Sequence, residues 1–197
     1  MTNSLAIGEV AEVLRGMTPA KTTTVPDTPV FFGLEEISHG GVISRYIEPE
    51  LDLRRAVYLE HGDVVLALLG NIGAAAVVSD AAAGAILGRE CAALRLRPGE
   101  PRITPQWLRL ALGASPFRLH ARAMATGTTM PRLSSRALGE MTIPVPPSEV
   151  QRDLVDRMAK FDDAIEAQRT LLNSLVALRG AEIELSMNEL TDPAVHA

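Results

Sequence analysis

From Ser148 onward the sequence has the pattern of one long helix. Leu154, Met158, Phe161, Ile165, Gln168, Leu172 and Leu175 recur at alternating spacings of four and three residues. That spacing keeps one side of a helix facing the same way for five or more turns. Leu171, Leu178 and Leu185 extend the apolar face. The run opens on Ser148-Glu149-Val150-Gln151, which reads as a capping box. In such a box the Ser148 hydroxyl accepts from the Gln151 amide and the Gln151 side chain reaches back. Carried to about Glu189, the helix would be roughly 60 Å long at ~1.5 Å per residue. Gly180 is the position where it would bend or stop early. A helix of that length cannot bury its stripe along its full length on a small domain. It needs a second helix, from another copy of the chain or from another protein, and coiled-coil pairing is expected. The expected interface residues are Leu154, Met158, Phe161, Ile165, Leu172, Leu175 and Leu178; packing on the chain's own domain is disfavoured by the length.

The preceding residues are of another kind, mixed and strand-rich. Residues 5–16 read as a short strand or helix closed by Gly16, and residues 17–29, with three prolines and five threonines, as loop. Val30–Leu34 and Val42–Ile47 read as strands either side of a His39-Gly40-Gly41 turn. Ala56–Leu59 and Asp63–Leu69 follow as further strands, and Gly70-Asn71-Ile72-Gly73 leads into Ala74–Val78 as a hairpin. Cys91–Arg97 alternates and ends at Pro98-Gly99. Thr104-Pro105 and Ser115-Pro116 each carry the signature of a helix start, an N-cap hydroxyl followed by proline. Residues 125–131 form a polar loop, Leu133–Leu138 a short turn or helix, and Met141–Pro147 an extended run, because successive prolines exclude helix. The fold class expected is therefore α+β: a strand-rich domain over residues 1–147 and a long helix over residues 148–197.

Charge is unevenly shared between these parts. The net charge of -5 lies wholly in residues 148–197, which hold 5 basic and 10 acidic residues against 14 of each before them. Residues 101–139 contain Arg102, Arg109, Arg118, Arg122, Arg132 and Arg136 and no acid. Such a stretch can meet phosphates even in an acidic protein, because screening makes the attraction a local matter. Equally, it can be a solvated surface whose carboxylates come from elsewhere in the fold. Aromatic residues are only 4% of the chain, so rows of stacking rings are not expected.

Catalytic chemistry is hard to find. The only Pro-Pro, Pro146-Pro147, lies outside the Asn/Asp-Pro-Pro-Tyr/Phe context of an adenine amino-methyltransferase. The two lysines, Lys21 and Lys160, follow neither the spaced acids of a metal-dependent nuclease nor a phosphate-binding glycine loop. His39, His61, His120 and His196 lack metal-ligand spacing, and the single Cys91 excludes an internal disulfide and a multi-cysteine zinc site. No metal, no cofactor and no enzyme activity are expected. The N-terminus is not a signal peptide and no run is long and apolar enough to span a bilayer, so a bacterial-type cytoplasmic protein is expected.

Four stretches, in order, resemble the specificity subunits of type I restriction-modification systems. Ile7–Pro19 with Lys21 resembles the family's opening strand, glycine and Thr-Pro loop. Val30–Ile43 resembles the next strand, acidic turn and Gly-x-Ile return. Leu59–Gly73 is similar to the Gly-Asp turn, apolar strand and Gly-x-Ile-Gly. Ala125–Leu138 and then Ile143–Gln151 resemble the glycine-threonine loop and the Pro-Pro-x-x-Glu-Gln helix entry, with Val150 in place of the glutamate. Each piece is weak alone; their order and spacing carry the likeness.

The resemblance implies a non-catalytic subunit that binds a bipartite DNA target and holds methyltransferase and, in some systems, nuclease subunits. Most members carry two recognition domains and two long helices; this sequence has one of each. It resembles a half-subunit, two copies of which would pair through the helix and read two identical, inverted half-sites. Within that frame the expected DNA-binding residues are Lys21, Thr22 and Thr23 on one loop, Arg118 and Arg122 on one helix face, and Thr126, Thr128, Thr129 and Arg132 on another loop. Hydroxyls, free amides and guanidinium groups are the kit for phosphates and base edges. For any one of these residues, ordinary surface polarity is an equal alternative. A protein-interaction module that has lost DNA contacts is the competing function. A fragment or tail of a methyltransferase is disfavoured by a Met1 that opens directly on the domain.

Overall fold

The computed structural model describes residues 3–17, 22–24, 30–47 and 53–191. In chain order these form β1 (Asn3–Ala6), α1 (Ile7–Val10), β2 (Ala11–Arg15), β3 (Thr22–Thr23), β4 (Val30–Phe32), α2 (Leu34–Ser38), β5 (Arg45–Ile47), β6 (Val64–Ala67), β7 (Ala75–Val77), β8 (Ile86–Leu87), β9 (Cys91–Leu96), α3 (Pro105–Gly113), α4 (Ser115–Met124), α5 (Ser135–Glu140), β10 (Thr142–Val145) and α6 (Ser148–Thr191). The chain divides into two compact units, residues 1–152 and 153–197. The mixed, strand-rich class and the long C-terminal helix are both present. No helix among the described residues is long and apolar enough to cross a membrane.

The described residues of the first unit contain two four-stranded sheets and one two-stranded sheet, β1-β10. One four-stranded sheet runs β2-β9-β6-β7, antiparallel throughout; the other runs β3-β5-β4-β8, with β4 and β8 parallel. Phe32, Val65, Ala67, Leu87 and Ala93 from both four-stranded sheets, with Leu59 between them in sequence, share one core. Strand β9 reads as alternating in the sequence, yet Cys91, Ala92, Ala93 and Leu94 are all buried. It lies between β2 and β6 and is covered on both faces, where alanines and a thiol fit because neighbouring chain lies close. The 63–78 hairpin forms, with Val64 opposite Val77. Ala56–Leu59 does not become a strand; it contributes one bridge, Tyr58 to Ile86.

Two buried carboxylates tie the loops to the sheets. Glu36, fully buried on the single-turn helix α2, accepts hydrogen bonds from the Gly33 amide (2.9 Å), the Ser44 hydroxyl (2.8 Å) and the Arg45 guanidinium (2.6 and 3.1 Å). Burial pushes this carboxyl's pKa up, but Arg45, the Gly33 amide and Ser44 outweigh it and hold it below the ordinary 4.5. The second carboxylate, Asp63, accepts hydrogen bonds from the Glu60 amide (2.9 Å) and the Arg95 fork (2.8 and 3.0 Å). Sequence patterning gave no sign of either pair, because each joins residues whose spacing has no period.

Of the three helix caps read from the sequence, one forms as expected and two do not. Thr104 caps α3 by accepting from the Trp107 amide at 3.1 Å, and Ser134 caps α5 by accepting from Ala137 at 3.0 Å. Helix α4 departs from expectation: its N-cap is Ala114, and Ser115 is the first helical residue. The capping box at Ser148 is also absent. Gln151 is buried and turns inward, donating to the carbonyls of Arg102 (2.6 Å) and Pro146 (2.8 Å), while its amide donates to the Pro147 carbonyl. The Arg102 and Pro146 carbonyls take the side-chain amide that the sequence pattern assigns to the N-cap. β1 pairs with β10, from Asn3 opposite Val145 to Ala6 opposite Thr142, beside this helix entry.

The second unit is helical. Helix α6 has 44 residues, about 66 Å at ~1.5 Å rise, and Gly180 neither ends nor interrupts it. Along it Leu154 and Met158 are half-buried, whereas Phe161, Ile165, Leu171, Leu172, Leu175 and Leu178 are each at least half exposed.

Candidate nucleic-acid interface

Helix α4 buries Phe117 and Ala121, which turns Arg118 and Arg122, one helical turn apart, toward its outer side. Arg118 donates through Nη2 to Asn71 Oδ1 in the β6–β7 turn. That turn depends on Gly73, whose φ is +90° and whose place leaves no room for a Cβ: it would lie 2.7 Å from Arg118 Cγ. Arg122 is exposed and lines a cavity of about 360 Å³ with Gly70, Ile72, Thr129, Met130 and Pro131.

The loop after α4 is a closed hairpin. Thr126 and Arg132 exchange backbone hydrogen bonds of 3.0 and 2.9 Å, and the Leu133 amide donates to the Leu68 carbonyl at 2.8 Å. The loop base is thus pinned to the end of β6. Gly127, at φ +111°, makes the reversal, leaving Thr128, Thr129 and Met130 exposed at the tip. Exposed hydroxyls on a pinned base suit groove contacts, because little ordering remains to be done on binding.

Arg118, Arg122, Thr126, Thr128, Thr129 and Arg132 thus gather on α4 and the loop that follows it. Thr22 and Thr23 do not join them: they form β3, paired with Ile47 and Tyr46 at the edge of the second sheet. Lys21 lies outside the described residues. The acid-free run is also less bare than its sequence. Arg102 pairs with Glu100 at 2.6 Å and Arg136 with Glu140 at 3.0 Å, acids that flank the run on either side. The positive field therefore rests on fewer arginines than the count suggests.

Two arginines that sequence reasoning missed lie beside the loop. Arg15, ending β2, and Arg89, in the β8–β9 turn, line a cavity of about 440 Å³ with Gly16, Leu68, Cys91 and Arg132. Arg132 donates through Nη2 to the Arg89 carbonyl. Each arginine follows or precedes a glycine in sequence, Gly16 and Gly88, but only the fold brings those glycines together. Cys91, at the floor, is no nucleophile: burial pushes its thiol up to about 12. Among the described residues no group of three or more His, Cys, Asp or Glu could hold a metal.

The fold and this surface define a recognition module: a sheet-built domain presenting a basic, hydroxyl-bearing loop, with one long helix appended. The family described as Type I restriction modification DNA specificity domain matches residues 3–176, and the chain belongs to that family, whose members recognise DNA and are not themselves catalytic. Similar solved structures include a type I restriction-modification S subunit from M. genitalium, at TM-score 0.64 and 17% identity over 99% of this chain and 47% of that one. The HsdS subunit from Thermoanaerobacter tengcongensis is similar at TM-score 0.59 and 20% identity, over 84% of this chain and 38% of that one. A chain from a structure of type I R-M complex assembly and conformational transition matches at TM-score 0.60 and 19% identity, over 96% and 43%. The chain thus spans less than half the length of each. Among curated protein sequences none matches it.

Proposed function

We propose that the chain is a half-length specificity subunit. A target-recognition domain over residues 1–147 would read one half-site in double-stranded DNA. The helix over residues 148–197 would pair with that of a second copy as a coiled coil. The homodimer would direct a methyltransferase and, in some systems, a nuclease to a bipartite target with inverted half-sites. One observation carries this reading: a 44-residue helix leaves an apolar stripe of 3.5-residue period exposed. A stripe of that period is satisfied by a partner helix and by little else.

On the DNA side, Arg118, Arg122, Thr126, Thr128, Thr129 and Arg132 are assigned to the duplex. Lys21, Thr22 and Thr23 form a second, separate contact. Arg118 is the positioning member, since Asn71 already takes one of its donors. Arg122 is the phosphate contact on α4, being exposed beside the loop. The substitution Arg122→Gln is expected to weaken binding of a labelled duplex evenly across sequences. It should also lower the magnitude of the log K against log salt slope by about 0.9 per protomer. Fluorescence anisotropy over a salt series measures both. An unchanged slope would remove Arg122 from the interface, and a wild-type chain that binds no duplex, alone or with its methyltransferase, would favour the protein-interaction module instead.

A further inference from the structure

The cavity beside the loop has features that its neighbours do not explain. Three guanidinium-bearing residues reach it from three separate segments: Arg15 from the end of β2, Arg89 from the β8–β9 turn and Arg132 from the loop base. The approach is built into the backbone. Met17 donates to the Leu87 carbonyl at 3.0 Å and bridges to Gly88, and a Cβ on Gly16 would lie 2.1 Å from the Gly88 carbonyl oxygen. Only glycine at position 16 allows these strands to touch, and that contact sets Arg15 beside Arg89. Arg132 is tied in by its bond to the Arg89 carbonyl. Among the described residues the ion pair made by these three is that of Arg89 with Glu90, at 3.6 Å. Three cations with one paired carboxylate leave an excess of positive charge.

Like charges held together in this way are stabilised by an anion that takes several N–H donors at once. An adjoining cavity of about 270 Å³ shares Arg15 and Arg132 and is lined by Thr126, Ser134, Ser135 and Arg136. There the buried Ser135 hydroxyl has no hydrogen-bond partner. The basic lining therefore continues from one cavity to the next, alongside the loop assigned to DNA.

We propose that Arg15, Arg89 and Arg132 jointly hold a single backbone phosphate of the DNA duplex. This rests on the DNA-binding reading above and adds two residues, Arg15 and Arg89, to it. The site carries register and not sequence, because a phosphate is the same at every step. It fixes where the loop tip enters the groove.

The test is the salt dependence of binding to a labelled random-sequence duplex. The triple variant Arg15→Gln/Arg89→Gln/Arg132→Gln is expected to lower the magnitude of the slope by about 0.9 per protomer, the value for one phosphate. A fall about three times as large would mean one phosphate per arginine and would overturn the shared site; no fall would overturn the site altogether. Circular dichroism checks that the triple variant is folded. Should it not fold, the single variants Arg15→Gln and Arg89→Gln and their double variant decide. Fold-losses that do not multiply in the double variant support a shared phosphate, and losses that multiply overturn it. Arg102→Gln, whose side chain pairs with Glu100, is the control and should leave the slope unchanged. A wild-type chain without salt-dependent duplex binding would overturn the DNA reading itself, and this site with it.

Discussion

Substituting lysine for both Leu172 and Leu175 is expected to yield a monomer under conditions where the wild-type chain forms the proposed dimer. The two side chains are 60% and 54% exposed on α6, adjacent along the stripe, and belong to the second unit. Burying a leucine contributes ~2 kcal/mol, so the four leucines of a symmetric pair account for ~8 kcal/mol. Each ~1.4 kcal/mol is a tenfold change in the dissociation constant. The loss is therefore several orders of magnitude, before the cost of facing lysines across the two-fold axis. Light scattering at micromolar concentration measures it. The first unit should keep its stability, because neither residue contributes to its core. A dimer that persists in the variant would put the interface elsewhere, and a wild-type monomer would remove the paired-half model.

The second large effect is expected at Arg45. Substituting methionine removes the guanidinium that donates twice to Glu36 and lies 5.0 Å from the centre of the Phe31 ring. Glu36 is fully buried, so the variant leaves a carboxylate without its cation in the core. Breaking such a pair costs on the order of 3 kcal/mol or more. The Gly33 and Ser44 bonds remain and keep the loss toward the lower end. The pH dependence has a definite sign. The folded-state pKa of Glu36 lies below its ordinary 4.5, so its pairing stabilises the fold above about 4.5. That contribution is lost as pH falls through the lower, folded-state value. Urea unfolding should thus show a large wild-type-to-variant difference at neutral pH and a smaller one in acid. A difference under about 1 kcal/mol at neutral pH would mean that the pair is no keystone of this unit.

The parts that were legible in the sequence are those governed by period or by a local rule. Helix α6 could be read because an apolar residue every three or four positions has no other regular solution. The Thr104 cap and the 63–78 hairpin could be read because cap and turn chemistry act within a few residues. Gln151 was misread since the motif is local but its competitors, the carbonyls of Arg102 and Pro146, are not. Arg15 and Arg89 stand far apart in sequence, and what joins them is the close contact of Gly16 with Gly88. The arginines between 101 and 139 were over-counted, because Glu100 and Glu140 stand just outside the window that made the run look acid-free. A charge window sees composition, whereas the field depends on which partners the fold supplies.

Two copies of this chain are proposed to read two inverted half-sites for a methyltransferase. The most direct measurement is to co-express the chain with the methyltransferase subunit proposed to partner it and map methylated positions across the host genome by single-molecule sequencing. The expected result is one bipartite motif whose halves are inverted copies of each other, separated by a spacer of constant length. Methylation at no defined sequence, or at a motif with two unlike halves, would contradict it.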